Sequence, residues 1–195
     1  MSESQKRKEK IRIITMGAVL TALVIILQFM GAFIRFGVFS VSLVLVPIVI
    51  GAATCSAGVS AWLGFVFGVV VLLSGDAAPF MSINMAGTVI TVLVKGTACG
   101  LVAGLVYKLL SKRNSFAGVL GASIICPIVN TGIFLLGCQL FFLDSITAWG
   151  TEAGYANVVA YMFLGLAGGN FIFELITNLI LGPAAAMLIK QIKKP

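Results

Sequence analysis

The sequence contains no histidine in its 195 residues. Catalytic triads, histidine proton relays and imidazole metal sites are therefore excluded. Cysteine is also sparse, and no two of the four cysteines form a C-x-x-C pair; they are Cys55, Cys99, Cys126 and Cys138. This spacing indicates neither a zinc site nor a disulfide framework. We expect a protein without a metal ion or cofactor.

Charged residues are scarce as well. They make up 10% of the chain, whereas hydrophobic residues make up 60%, and the mean hydropathy is +1.15. An average soluble domain is about a quarter charged, so a water-soluble fold is excluded. The sequence also lacks a G-x-x-x-x-G-K-[ST] phosphate loop and a recognisable pair of nucleophile and base. A P-loop ATPase is therefore excluded, and an enzymatic function has no support.

What the sequence has instead is a series of long apolar segments, at about 13–33, 38–54, 57–74, 86–109, 116–142 and 156–189. Each is near or above the roughly 17 residues that a membrane helix needs. They predict an all-α membrane protein, a bundle of about six transmembrane helices forming one domain over 1–195, with a basic tail over about 1–12. The second and third segments are short and hold Pro47, so a tight or partly broken hairpin, or a count of five spans, is an alternative.

Basic residues give the predicted orientation. They cluster in the N-terminal tail, in the connection that holds Lys108, Lys112 and Arg113, and in the C-terminal tail. In an up-and-down layout of six helices, all three groups lie on one side, which the positive-inside rule makes cytoplasmic. The termini are therefore predicted to be cytoplasmic. The basic clusters border membrane spans, so nucleic-acid binding is not expected.

Small residues recur every four positions in several segments. The first segment has Ala18 and Ala22, a spacing that forms a shallow groove against which another helix packs closely. The spacing fits a helix of the same chain or of a partner. Similar series in the third and fourth segments predict packing within the bundle; they are Gly64 and Gly68, and Gly96, Gly100 and Gly104.

Polar residues inside the apolar segments are the candidates for function. Lys95 and Glu174 are the ionisable ones, and a charge at mid-bilayer depth costs about 2.5–3.5 kcal/mol on insertion scales. They either pair with each other or contact a substrate. Further polar residues share their helix faces or lie at similar depth, namely Thr88, Thr91, Asn130, Asn170 and Asn178. Together these residues predict one polar pocket reached from outside.

The chain resembles the S component, or substrate-binding subunit, of energy-coupling factor (ECF) vitamin transporters. The resemblance rests on the basic N-terminal tail, Ala18-x-x-x-Ala22, six apolar segments in a short chain, and a long outer loop before the last span. The phrases Pro127-Ile-Val-Asn-Thr131 and Asn170-Phe-Ile-Phe-Glu174 are also similar to that family. The similarity covers nearly the whole chain.

The resemblance implies a subunit in the bacterial plasma membrane that captures a vitamin at the outer face for uptake driven by partners. Those partners are a transmembrane T component, which would dock on Ala18 and Ala22, and two cytoplasmic ATPases. The implied substrate-binding residues are Arg35, Asn84, Lys95, Asn130, Asn170 and Glu174. Arg35 and Lys95 suit a pantothenate-like carboxylate, whereas Glu174 and the asparagines suit the amide and hydroxyl groups of a riboflavin-like compound.

Two readings of the polar residues stay open beside this one. Lys95 and Glu174 would also serve as coupling or selectivity groups of a self-sufficient secondary transporter or a small channel. Arg35 would also serve as an ordinary anchor at the membrane interface.

Overall fold

The computed structural model describes residues 3–33, 35–36, 39–40 and 43–192, and helices dominate them. In chain order the elements are α1 (Glu3–Phe33), β1 (Arg35–Phe36), β2 (Phe39–Ser40), α2 (Leu45–Thr54), α3 (Ala57–Leu73), α4 (Ala78–Met81), α5 (Met85–Leu110), α6 (Ser115–Phe141), α7 (Leu143–Glu152), α8 (Val158–Ala160), a π-helical turn (Tyr161–Leu166) and α9 (Gly168–Ile192). The prediction of an all-helical protein is confirmed, apart from one short pair of strands.

β1 of that pair lies in the predicted connection at 34–37, whereas β2 lies at the start of the segment that was predicted to be helical from about 38. β1 and β2 are antiparallel, with Arg35 opposite Ser40 and Phe36 opposite Phe39. The helix predicted from about 38 therefore begins only at Leu45. Aromatic residues such as Phe36 and Phe39 favour extended structure. Strands of two residues are too short for a hydropathy pattern to distinguish them from the start of an apolar helix.

The N-terminal region also differs from the prediction. Residues 3–12, expected as a tail, continue α1 without a break. Lys, Arg and Glu are good helix formers, so the basic segment extends the apolar helix that follows it. Only one side of α1 is buried, along the line of Leu20, Val24 and Gln28.

Three helices are long and apolar enough to cross a membrane: α1, α5 and α6. A fourth span is formed if α8, the π-helical turn and α9 are counted together. These elements are long and apolar enough as a pair, but they bend by 41° at a short break. α2 and α3 are shorter apolar helices. They form a tight hairpin, which was the alternative to two full spans, and the Ser56 hydroxyl caps α3 by accepting from the Val59 amide at 3.2 Å.

α2 forms the centre of the bundle. Nine of its ten residues are buried, and it contacts α1, α3, α5, α6 and α9. Pro47 lies in its first turn, where no intrahelical donor is needed. At roughly 1.5 Å per residue, α2 is about half as long as the hydrocarbon core is thick. The longer helices surround it.

Glycines bring α3 and α5 into backbone contact. A Cβ added to Gly64 would lie 1.9 Å from the Gly96 carbonyl oxygen, and one added to Gly100 would lie 2.1 Å from that of Ser60. A Cβ at Gly104 would lie 2.4 Å from Cα of Ala57. The predicted role of these glycines in packing within the bundle is thus confirmed.

Contacts between the helices show which of their ends lie at the same end of the bundle. Gly17 of α1 lies near Val59, Gly104 of α5 near Ala57, and Gly182 of α9 near Ser123. We call the end that holds the α5–α6 connection at 111–114 the basic end. The opposite end carries the segments 74–84 and 142–157, and we call it the loop end.

Candidate functional site

A partly enclosed cavity of about 170 Å³ lies inside the bundle. A hydrophobic cavity of about 150 Å³ holds one benzene ring, so this one fits a compact molecule. Its lining comes from α1, α3, the segment around α4, α5, α6 and the last span. The lining residues, in chain order, are Gln28, Phe67, Val71, Asp76, Ala77, Phe80, Thr88, Thr91, Val92, Lys95, Asn130, Thr131, Phe134, Phe142, Leu166, Ala167, Asn170 and Glu174.

Lys95 lies deep in this cavity, eleven residues into α5. Its ammonium is 5.5 Å from the centre of the Phe67 ring and 5.3 Å from that of Phe134. Among the described residues, Lys95 has these two ring contacts but neither a hydrogen bond nor an ion pair. Ring faces stabilise a cation by about 0.5–2 kcal/mol, which is less than its cost of insertion. An anionic partner would offset the difference.

Glu174 is held by amide groups instead of by Lys95. Its Oε2 accepts from Nδ2 of Asn130 at 3.3 Å, and its Oε1 accepts from Nδ2 of Asn170 at 3.2 Å. Only 1% of Glu174 is exposed. Asn178, one turn further along α9, donates to the Glu174 backbone carbonyl at 2.8 Å. The predicted alignment of Asn170, Glu174 and Asn178 therefore exists as a bonded series.

Three cavity-lining residues have buried polar atoms that find no hydrogen-bond partner among the described residues. These atoms are Oγ1 of Thr91, Oδ1 of Asn130 and Oδ1 of Asn170. Buried polar atoms are nearly always hydrogen-bonded, and an unmade bond costs about 1–3 kcal/mol. Unsatisfied oxygen atoms on residues that line a cavity mark it as a place for a ligand.

A second polar pair closes the cavity near the loop end. Gln28 of α1 donates from Nε2 to Oδ2 of Asp76 at 2.5 Å. This bond joins the first helix to the segment after α3, and Gln28 is only 3% exposed. The predicted site did not include either residue. Gln28 is the single amide side chain in the stretch 13–33, and an amide within a membrane helix is the sequence feature that could have indicated its role.

Aromatic rings cover the cavity at the loop end. Phe80 makes edge-to-face contacts with Phe134, Phe142 and Trp149, at centroid distances of 5.6, 5.2 and 5.7 Å. The three rings come from α6, the residue after α6, and α7. These rings lie on the loop-end side of the polar lining residues, which we call the polar floor of the cavity: Lys95, Asn130, Asn170 and Glu174.

The break in the last span lies beside the cavity. The Ala167 amide donates to the Met162 carbonyl at 3.1 Å, a π-type bond across five residues. A Cβ on Gly168 would lie 2.4 Å from the Phe163 carbonyl oxygen, so glycine permits the bend. Leu166 and Ala167 line the cavity at this point. Irregular backbone at membrane depth is tolerated where it faces protein or a cavity.

The structure brings four of the six predicted substrate-binding residues into the cavity: Lys95, Asn130, Asn170 and Glu174. Asn84 is not part of the lining; it caps α5 by accepting from the Gly87 amide at 2.9 Å. The side chain of Arg35 lies outside the described residues. Among the described residues, no three His, Cys, Asp or Glu side chains come together as metal ligands would.

Ala18 and Ala22 do not line the cavity, and both lie on an exposed face of α1. The helix contacts α2 and α3 through its other face. Within the part of the chain that the structure describes, this alanine pair does not pack against another helix. The exposed groove is free for a partner or for lipid.

A comparison with protein families gives a match over most of the chain. The model of the family described as the substrate-specific component of the ECF transporter matches residues 12–190. That range contains the cavity-lining residues and the alanine pair of α1. No curated protein matches the chain.

Proposed function

The chain belongs to the family of substrate-specific components of ECF transporters, and on that premise we propose that its cavity captures a vitamin or a related micronutrient for uptake. The observation that carries the proposal is a polar floor buried in an apolar bundle. Lys95, Asn130, Asn170 and Glu174 meet there, under a cover of aromatic rings. Polar residues at this depth are costly and typically functional.

Family membership makes the chain a transport subunit of the membrane, associated with a T component and ATPases. We infer that ATP hydrolysis in those partners drives the uptake, since the chain has no phosphate loop of its own. The cargo would enter the cavity from the loop end and leave when the loaded subunit reorients within the complex. Riboflavin-like and pantothenate-like compounds are both candidates for the cargo.

We infer six spans: α1, α2, α3, α5, α6 and the bent last helix. Of these, α2 covers only about half of the hydrocarbon thickness and is enclosed by the other helices. The basic end would face the cytoplasm, because α1 begins there with five basic residues before Ile13 and Lys108, Lys112 and Arg113 follow at the α5–α6 connection. The loop end would then face outward, and the plasma membrane of a bacterium is the proposed location.

The exposed alanine groove of α1 is the proposed docking surface for the T component. Two small residues one turn apart let another helix approach closely in lipid. Ala22→Trp would fill this groove and is expected to abolish copurification with coexpressed T and ATPase subunits. Leu23→Trp, at a residue that is 41% exposed and lies at least about 100° around the same helix from both alanines, is the matched control and should leave the complex intact. Normal assembly by the Ala22 variant would contradict this interface.

The capture function is tested by mass spectrometry of small molecules that remain bound through purification. We expect one organic micronutrient at near-stoichiometric amount. Adding it to ligand-free protein at 100 times its Kd should stabilise the folded state by about 2.7 kcal/mol. Uptake of the same compound into liposomes by the purified chain alone, driven by an ion gradient, would instead show a self-sufficient transporter.

A further inference from the structure

The polar atoms that the cavity offers to a ligand differ from side to side. On the α5 side the ammonium of Lys95 contacts the rings of Phe67 and Phe134 and has no hydrogen bond within the part of the chain that the structure describes. Thr91 lies one turn away on the same helix face, and its buried hydroxyl has no hydrogen-bond partner there either. A cation and a hydroxyl donor one turn apart form a site for an anionic oxygen.

On the opposite side the available atoms are acceptors. An ionised carboxylate only accepts hydrogen bonds, and the Nδ2 atoms of Asn130 and Asn170 both face Glu174. Their Oδ1 atoms are buried and have no hydrogen-bond partner among the described residues. Glu174 is thus a positioning residue that determines which atom of each cavity-lining asparagine is left without a partner. Hydroxyl or N–H groups of a ligand would satisfy these oxygens.

The acidic groups of the cavity, Glu174 and Asp76, act on Lys95 electrostatically, but their oxygens bond to amide groups. Glu174 is 1% exposed and is covered by the two asparagines. Asp76 accepts from Gln28 near the loop end. The cationic atom presented to the interior by the described lining residues is therefore that of Lys95.

Resting on the proposed capture function, we propose that the cargo is a compact monocarboxylic acid that also carries hydroxyl or N–H donors. Its carboxylate would bind Lys95 and Thr91, and its donors would bind Oδ1 of Asn130 and Asn170. The cavity of about 170 Å³ is only partly enclosed, so its volume favours a compact molecule without setting a size limit. A neutral flavin would leave the Lys95 ammonium without an anionic partner.

The test compares acids with their neutral counterparts on the purified full-length protein, freed of ligand, by equilibrium dialysis. Pantothenate is paired with panthenol, and biotin with its amide. Both acids carry hydroxyl or N–H donors. Nicotinate tests an acid without such donors, and riboflavin tests a large neutral ring system. We expect pantothenate or biotin to bind at least about tenfold more tightly than its neutral counterpart, than nicotinate and than riboflavin.

Lys95→Gln is expected to remove the preference for the acid and to lower its affinity by about tenfold or more. Lys108→Gln is the matched control, because it makes the same change at an exposed lysine of the same helix. It should keep both the affinity and the preference. The comparison on the unmutated protein stands even if the Lys95 variant fails to fold.

Tight binding of a neutral compound, or of riboflavin, would overturn the inference and leave the capture function standing. Failure of both donor-bearing acids to bind would also overturn it. The capture function is then decided separately by the mass spectrometry of retained molecules. A retained compound without a carboxylate would support capture and refute the proposed class of cargo.

Discussion

Glu174 is ionisable and almost fully buried, yet its two oxygens face neutral amide groups. Two amide donors in a site of low polarity offset part of the cost of burying a carboxylate. The arrangement also constrains the donors, because each asparagine must turn its nitrogen toward the acid. At the scale of single residues, Glu174 acts by orienting its neighbours.

Glu174→Gln tests this orienting role. A glutamine offers one acceptor and one donor, so only one of Asn130 and Asn170 keeps its amide nitrogen toward position 174. The other is expected to rotate and present a donor to the cavity. We predict about tenfold weaker binding of the retained cargo, equivalent to about 1.4 kcal/mol, measured by equilibrium dialysis.

Glu9→Gln is the matched control, because it makes the same change at an exposed glutamate. Glu9 lies in the basic start of α1 and does not line the cavity. Its variant should bind the cargo as the unmutated protein does. Equal affinity in Glu174→Gln and the unmutated protein would show that the orientation of the amides does not matter.

At the scale of elements, the contact of α3 with α5 fixes where Lys95 can lie. The two helices touch through backbone atoms at Gly64 and Gly96, and Lys95 is the residue immediately before Gly96. Phe67, one turn after Gly64, reaches the ammonium from the same side. The close approach therefore brings an aromatic ring of α3 over a cation of α5.

Gly96→Ala tests this contact. The added Cβ would lie 2.3 Å from the Gly64 carbonyl oxygen, which is backbone and cannot rotate away. We predict a loss of about 1–3 kcal/mol in the free energy of unfolding, because the helices must separate. In a thermal melt followed by size-exclusion chromatography, Tm should fall by about 2–4 °C for each kcal/mol lost.

Gly132→Ala, in α6, provides the comparison. A Cβ at Gly132 meets nothing within 4 Å, and alanine is the better helix former by about 1 kcal/mol in water. Its Tm should be unchanged or slightly higher. A Gly96 variant as stable as the Gly132 variant would disprove tight packing between α3 and α5.

At the scale of the whole molecule, the basic end gathers the start of α1, the turn between α2 and α3, and the connection between α5 and α6. The basic residues of α1 and of 108–113 thus share one end. A single cytoplasmic face would satisfy all of them under the positive-inside rule.

Cysteine labelling tests this orientation. Gly58→Cys and Lys112→Cys lie at the basic end, and Glu152→Cys lies at the loop end; all three positions are exposed. In intact cells, a membrane-impermeant maleimide should label only the Glu152 variant, and permeabilisation should expose the other two. The parent carries Cys55→Ala, since Cys55 is the partly exposed native cysteine and the other three are buried.

Two results would contradict the proposed arrangement. The reverse pattern would invert the orientation. Labelling of Gly58→Cys but not of Lys112→Cys in intact cells would contradict the six-span count, because both positions should lie on the cytoplasmic face. The Cys55→Ala parent, treated with the same maleimide, should show no label, which confirms that the signal comes from the introduced cysteines.

The sequence by itself determined that the chain is a helical membrane protein and where most of its helices run. The predicted segments 57–74, 86–109 and 116–142 match α3, α5 and α6 to within one residue at each end. It also identified the glycines of the α3–α5 contact and the polar residues of the cavity floor. These features depend on hydropathy and on the helical repeat, which are local properties of the chain.

Only the tertiary structure decided which of these residues are partners. Lys95 lies between two phenylalanines from α3 and α6, Glu174 between two asparagines, and Gln28 against Asp76, which is 48 positions further along the chain. Asn84 became a helix cap, and the last span bends beside the cavity. Each of these outcomes depends on contacts between residues distant in sequence, and no helical period or hydropathy window encodes such contacts.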